Sequence, residues 1–480
     1  MAMSVQNFIH EDFLLDTDHA RELYHSHAKD CPILDYHNHL PPRELAEDRR
    51  FENMSRLWIE GDHYKWRAMR ALGIGEGHIS GDAPDLEKFK KWAATLPYAW
   101  RNPLFHWSQL ELLRYFGIDD LLGPDNAERI YAHCNEMLSS PSHSARGLIQ
   151  GMNVEVLCTT DDPLDDLSGH RELSGSPWPV QVLPSFRPDG MIHIEKPGFV
   201  EYLSKLSGIT GIPIVDFESL SAAMSQRVDY FHEAGCRLAD HGLSHAHGGE
   251  FSPERVNAIL KDRLSGGSPS PSEQHLYKSA VLFLLGRLYS AKDWCMQLHL
   301  GPIRNTNQAV VSQLGINAGV DSIGDFPQAE QLASLLNRLN DKGHLPKTVL
   351  YNSNPRDNAV FATMAGNFTG EGIKGKVQFG AAWWFLDQMD GITDQLGTLS
   401  NMGLLSCSVG MITDSRSFLS FSRHEYFRRV LCNLLGRDIK KGLLPCDMDW
   451  IGKLVGDICH RNAREFFRFP TKEPALPLRR

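Results

Sequence analysis

The sequence predicts an α/β fold, a distorted (β/α)8 TIM-type barrel with a helical subdomain inserted after its first strand. Three observations predict it. Eight short apolar runs recur along the 480 residues. Each run ends in a polar cluster, and these clusters hold the chain's best metal-ligand and acid/base candidates. Amphipathic, helix-type segments lie between the runs. Strands buried on both faces read as short apolar stretches, and in such barrels chemistry gathers where the strands end.

The eight runs, with their polar tails, are residues 32–40 (PILDYHNHL), 154–162 (VEVLCTTDD), 180–189 (VQVLPSFRPD), 235–242 (GCRLADHG), 294–301 (WCMQLHLG), 348–355 (TVLYNSNP), 376–385 (KVQFGAAWWF) and 409–416 (VGMITDSR). Residues 217–234, 274–292, 326–342, 357–367, 392–402 and 422–435 carry apolar residues at helical spacing. Strand then helix, repeated eight times, favours closure into a barrel over an open sheet. No Gly-x-Gly-x-x-Gly follows a run, which weakens a dinucleotide-binding reading.

More than a hundred residues separate the first run from the second. Helical segments fill this interval at 54–72, 85–96, 103–116, 124–138 and 144–152, with Asp125 or Asn126 placed to cap one of them. The chain therefore divides into residues 1–40 (an N-terminal segment and strand one), 41–152 (the helical insertion) and 153–480 (the rest of the barrel with C-terminal helices). Residues 242–272, rich in Gly, Ser and His, read as a flexible surface loop whose His245 and His247 are solvated.

Composition narrows the function. A net charge of -10 speaks against general nucleic-acid affinity, which rests on Lys and Arg neutralising phosphates. Nine scattered cysteines without a C-x2-C pair are the usage of a reducing compartment. The first fifteen residues are acidic and lack the apolar core of a signal peptide, and no stretch is long and apolar enough to span a membrane. The expectation is a cytoplasmic protein with a small-molecule partner, neither nucleic-acid- nor membrane-bound, that self-associates into a homo-oligomer.

His37 and His39 stand two apart at the end of the first run, so both imidazoles face one side of the strand. Taken alone, such a pair fits two solvated loop histidines. Two other run ends add His299 and Asp414, and three imidazoles with one carboxylate make a mononuclear site for a divalent metal. Zinc is the first expectation, with manganese, iron or cobalt also accommodated. Arg187, Arg304 and Arg416 lie just past run ends, and a guanidinium cluster beside a metal points to an anionic ligand. The segment GDHYKWR supplies His63 and Tyr64, the latter read as a phenolate beside Arg187. Asp240 ends the fourth run as a candidate base or orienting group, and Trp383 and Trp384 offer an aromatic floor for a sugar.

These residues sit in long segments that resemble the uronate (glucuronate) isomerase family of the amidohydrolase superfamily. The matching segments are EDFLL, DYHNHL, AEDRRFEN, LWIEGDHYKWRAMRALG, VEVLCTTDDPLDDL, SFRPD, QLHLGPIRN, GKVQFGAAWW and GMITDSRSFLSFSRHEYFRR, from near residue 10 to near residue 430. The resemblance implies aldose–ketose interconversion of D-glucuronate with D-fructuronate, and of D-galacturonate with D-tagaturonate, through an enediol. It implies a metal on His37, His39, His299 and Asp414, and substrate contacts at His63, Tyr64, Arg187, Asp240, Arg304, Trp383 and Arg416. Tyr64 and Asp414 are the expected proton carriers, with Asp240 and His63 assisting. The tails ADHG and YNSNP lack the extra ligands of binuclear superfamily members, so one divalent metal ion and no second metal is expected, and Leu386 stands where Asn is expected. The competing readings are a metal-dependent hydrolase acting on a small anionic substrate and a non-catalytic sugar-acid binder.

Overall fold

The structure, a computed structural model, describes residues 8–470; part of the acidic stretch 1–15 falls outside them. Seven of the eight runs form strands. They are β1 (Ile33–Asp35), β2 (Val154–Cys158), β3 (Gln181–Leu183), β4 (Leu238–Leu243) and β5 (Cys295–Leu300). A two-stranded antiparallel ribbon of β6 (Pro302–Ile303) and β7 (Ser322–Ile323) follows, and then β8 (Lys347–Asn352) and β9 (Val377–Phe379).

Hydrogen-bonded neighbours follow chain order: β1-β2-β3 in one sheet and β4-β5-β8-β9 in another, every pair parallel. Parallel bridges from Asp161 to Phe186 and from Phe186 to Ala239 carry that order from β3 to β4. An order that never doubles back is the winding of a barrel; a doubly wound sheet needs a reversal. Closure, however, is not a continuous ladder among the described residues. The eighth run forms no strand there. It meets β1 through Asp414 N–H on the His37 carbonyl (3.1 Å) and His39 N–H on the Ser415 carbonyl (2.9 Å). It meets β9 through Val409 N–H on Gln378 Oε1 (3.1 Å). Gly410 and Asp414 have φ of 77° and 44°, and left-handed residues cannot continue a pleated strand.

The strands are buried on both faces, completely so in β5 and β8. Their inward side chains, such as Leu34, Val156, Leu238, Val349 and Tyr351, form one apolar cluster. Helices Phe199–Thr210, Phe217–Glu233, Pro271–Ala291 and Ala329–Asp341 cover the outer face and form a second. Capping boxes at Asp216/Ser219 and Ser270/Glu273 start two of these helices by satisfying backbone N–H groups that have no partner within the helix. The helices between β1 and β2 share a third cluster with helix Asp18–Leu23 and helix Ser422–Lys440.

Three local expectations change. The helix expected over 54–72 is two, Met54–Trp58 and His63–Ala71, because Gly61 turns left-handed at φ 74°. Asp62 then caps the second, accepting from Tyr64 N–H (3.0 Å) and Lys65 N–H (3.1 Å). Asn126 precedes helix Ala127–Leu138 without capping it; its Oδ1 accepts from Gly123 N–H instead. Residues 242–272 are not one flexible loop: they contain helix Pro253–Leu264, and His247 is buried. Among the described residues, no helix is long and apolar enough to cross a membrane.

Helix Ser422–Lys440 approaches helix Asp18–Leu23 at Gly436, where an added Cβ would meet Ala20 N at 2.5 Å and Ala20 Cα at 2.7 Å. Gly436→Ala is expected to destabilise the protein by about 1–3 kcal/mol through overpacking against backbone. Gly397, inside helix Met389–Met402, has nothing within 4 Å of such a Cβ. There alanine should stabilise by up to ~1 kcal/mol. Urea unfolding midpoints of the two variants should move in opposite directions; equal shifts would contradict the packing described.

Candidate active site

The site is built at the seam between β1 and the eighth run. Asp35, the last residue of β1, is fully buried and accepts from Thr413 N–H (2.8 Å), Thr413 Oγ1 (2.6 Å) and Asn38 Nδ2 (3.1 Å). This clamp places the tail that follows β1 against residues 413–415. Asp414 Oδ1 then receives both His37 Nε2 (3.0 Å) and His39 Nε2 (2.9 Å). Its Oδ2 accepts from Trp383 Nε1. Burial works to raise the Asp414 carboxyl, but the hydrogen bonds and charges of the two histidines outweigh it and hold the group well below the carboxylate range. With both oxygens engaged by His37, His39 and Trp383, Asp414 is placed as a ligand.

His299, on β5, is stacked on Tyr351 at 4.2 Å and its ring centre is 4.6 Å from that of His37. Its Nδ1 donates to Asp240 Oδ1 at 2.5 Å. The other Asp240 oxygen accepts from Arg187 Nη1 (2.7 Å), and Arg187 Nε in turn donates to Asp189 (2.9 Å). The four expected ligands therefore meet as two overlapping triads, His37–His39–Asp414 and His37–Asp240–His299. Within each triad the candidate atoms lie within 4.8 Å of one another. His299 Nε2 is buried with no protein partner, while its Nδ1 proton is held by a carboxylate. That is how a metal-ligating imidazole is usually oriented. Two clustered histidines, one carboxylate and an orphaned third imidazole nitrogen fit a divalent cation.

These groups open into a cavity of about 850 Å³, lined by every expected site residue except Asp240. Asp240 lies behind His299 and Arg187, fully buried with both oxygens bonded. Burial opposes its charge, yet Arg187 with His37 and His299 keeps it well below the usual carboxylate range. Where a base or orienting group was expected, it is placed to hold Arg187 and His299.

Tyr64 is also corrected. It faces Arg423, whose guanidinium lies 5.6 Å from its ring. Burial, reinforced by the charge of Asp387, pushes its hydroxyl well above the ordinary phenol value, so at neutral pH it is a phenol. His63 stacks on it at 5.0 Å, and burial lowers its imidazole, leaving a neutral ring whose Nδ1 has no partner. Arg304 pairs with Asp321 (3.0 Å) and covers Trp384 at 4.5 Å. Arg416 lines the cavity and has neither an ion pair nor a side-chain hydrogen bond among the described residues.

Arg423 was missed by sequence reasoning. It is buried against Trp107 at 4.0 Å, pairs with Asp387 (3.3 Å) and reaches the cavity. It lies on helix Ser422–Lys440, seven positions beyond Arg416, where strand-end reasoning gives no signal. Leu386, standing in place of the expected Asn, packs into the apolar cluster beside Ile392.

The chain is similar to known proteins along nearly its whole length. A family model for glucuronate isomerase matches residues 5–467. The uronate isomerase of Flavobacterium johnsoniae is 50% identical over 467 residues, covering 97% of this chain and 100% of the relative. That of Geobacillus thermodenitrificans is 51% identical over 464 residues, covering 96% and 99%. The crystal structure of uronate isomerase from Thermotoga maritima superposes with a TM-score of 0.91 at 32% identity, covering 96% of this chain and 100% of that one.

Asp414→Ala removes the oxygen on which His37 and His39 converge. It should weaken zinc binding at this centre by at least ~100-fold, since loss of even a supporting partner costs 10–100-fold. Chelator competition measures this; unchanged affinity would remove Asp414 from the ligand set.

Proposed function

The chain belongs to the glucuronate isomerase family and is an isomerase, and from that premise we propose how its cavity interconverts D-glucuronate with D-fructuronate, and D-galacturonate with D-tagaturonate. The observation that carries the reading is the conjunction of a ligand triad with an unpaired arginine in one cavity. A divalent cation held by His37, His39 and Asp414, with His299 alongside, would supply positive charge to the oxygens at the reacting end of the sugar; zinc suits these ligands.

Arg416 binds the substrate carboxylate, because it is the cavity arginine whose charge no side chain among the described residues has already claimed. Arg187 is held rigid by Asp189 and Asp240 and presents fixed positive charge to the enediolate as it forms. Aldose–ketose exchange takes a proton from C2 of the open-chain aldehyde and returns it to C1, with the hydroxyl proton moving from O2 to O1. Neutral His63, with a free ring nitrogen, is the base for carbon. Tyr64, kept as a phenol by burial, hands its proton to the carbonyl oxygen and recovers one from the other oxygen. Trp383 holds Asp414 from behind and closes one wall. Residues 41–152 form a subdomain that contributes His63 and Tyr64 to this wall. All nine cysteines are unpaired, which supports a cytoplasmic setting. The hydrolase alternative is not favoured, since the family matched along nearly the whole chain is one of isomerases.

Purified enzyme incubated with D-glucuronate and with D-galacturonate should yield ketose, lose this activity to a chelator and regain it with zinc. Absence of ketose from both sugars in metal-replete enzyme overturns the reading. In deuterated water, solvent deuterium should enter the product; none over many turnovers would favour hydride shift instead.

Tyr64→Phe should lower kcat by about 10²–10⁴-fold with little change in KM. Arg416→Ala should raise KM as well, and Arg416→Lys should restore binding only in part, because a lysine cannot engage a carboxylate in two parallel hydrogen bonds. A tyrosine variant of near-normal turnover would take Tyr64 off the proton path.

A further inference from the structure

A second cluster of ligating side chains borders the cavity, beside Ser244, Lys278 and Phe326 of its lining, and uses none of the residues assigned to the isomerase centre. His245 and His247 lie between β4 and helix Pro253–Leu264, and His275 belongs to helix Pro271–Ala291. One ring nitrogen from each lies within 4.8 Å of the other two. His247 Nδ1 and His275 Nδ1 are 2.9 Å apart, and the rings of His245 and His247 are 4.5 Å apart between centres. Two imidazole nitrogens at this separation either share one proton or turn their lone pairs to one cation. Ligands about 2.0–2.1 Å from zinc lie roughly 3.0–3.4 Å from one another.

The surroundings orient the rings. Ser244 Oγ meets His245 Nδ1 at 3.0 Å, which leaves Nε2 for the cluster, as a hydrogen-bonding partner does behind a metal-bound histidine. A Cβ on Gly249 would meet His275 Nε2 at 2.6 Å, so the ring fills space that only glycine leaves. The facing cation, Lys278, is paired with Glu195 at 2.8 Å, which offsets its charge. Burial lowers all three imidazoles below their ordinary range, so their lone pairs are free at neutral pH.

We propose that His245, His247 and His275 form a second metal site that takes a borderline divalent cation such as zinc on three imidazole nitrogens. Its fourth tetrahedral position remains for water. The site joins the segment after β4 to helix Pro271–Ala291.

The test is zinc stoichiometry and affinity of the full metal-stripped chain, read by chelator competition and elemental analysis. His245→Ala/His275→Ala is expected to lose one bound zinc per chain relative to wild type and to retain isomerase turnover. His39→Ala/Asp414→Ala is expected to lose turnover and still bind zinc at the histidine cluster. If the isomerase centre takes no zinc at all, wild type still loses its bound zinc in the His245/His275 variant, so the two readings fail separately. Equal zinc content in wild type and that variant overturns the proposal. Should the double variant not fold, His275→Gln serves in its place. It is expected to weaken this zinc by more than ~10-fold, and unchanged affinity in it likewise overturns the site.

Discussion

The carboxylate of Asp35 holds the two ends of the barrel together. A buried carboxylate is tolerated only when its oxygens are satisfied, and the donors that satisfy this one come from Asn38 and from Thr413, 378 positions away. The requirement does at this seam what a hydrogen-bonded ladder does elsewhere. The left-handed turns at Gly410 and Asp414 prevent a regular strand, yet they re-aim the Asp414 side chain toward His37 and His39. The ligand triad is thus a consequence of how the sheet fails to close regularly.

Around that seam, charges are sorted by pairing. Arg187 is committed to Asp189 and Asp240, Arg304 to Asp321 and Arg423 to Asp387. Each pairing fixes a guanidinium and reduces the net charge it offers a ligand. Arg416 is left without an ion pair, so the cavity offers an anion positive charge despite the chain's overall charge of -10. Burial does the complementary sorting of the proton groups. It favours His63 without its proton and Tyr64 with its own, which suits two adjacent residues at a helix start to the proposed base and acid. The break at Gly61 matters for this reason. An unbroken helix over 54–72 would carry His63 and Tyr64 within its middle turns, rather than at an N-terminus pinned by Asp62.

Much of this was legible in the sequence because it depends on local pattern. Apolar runs mark strands whatever they pair with, so seven of eight were located, and helical periodicity found helices such as Phe217–Glu233 and Ala329–Asp341 within a few residues but missed Phe199–Thr210 and Pro253–Leu264. His37, His39, His299, Asp414 and the strand-end arginines were recognisable because strand ends share one mouth. Arg423 was hidden, since its place in the cavity comes from how a helix packs on Trp107 and not from any strand-end position. His245 and His247 looked solvated because His275, the residue that gives them company, lies on another helix 28 positions beyond His247.

By itself, the sequence determined the parallel β/α succession, the residue types at the strand ends and the family. Those follow from short-range periodicity and from motifs long enough to be specific. Tertiary structure alone decided roles. It buried Asp240 behind His299 and Arg187 with both oxygens bonded, and it set Tyr64 in surroundings that favour the phenol over the phenolate. It also left Arg416 as the cavity arginine without an ion pair among the described residues. A side chain's charge state and freedom are set by burial and by partners distant in sequence, and neither quantity exists until the chain has folded.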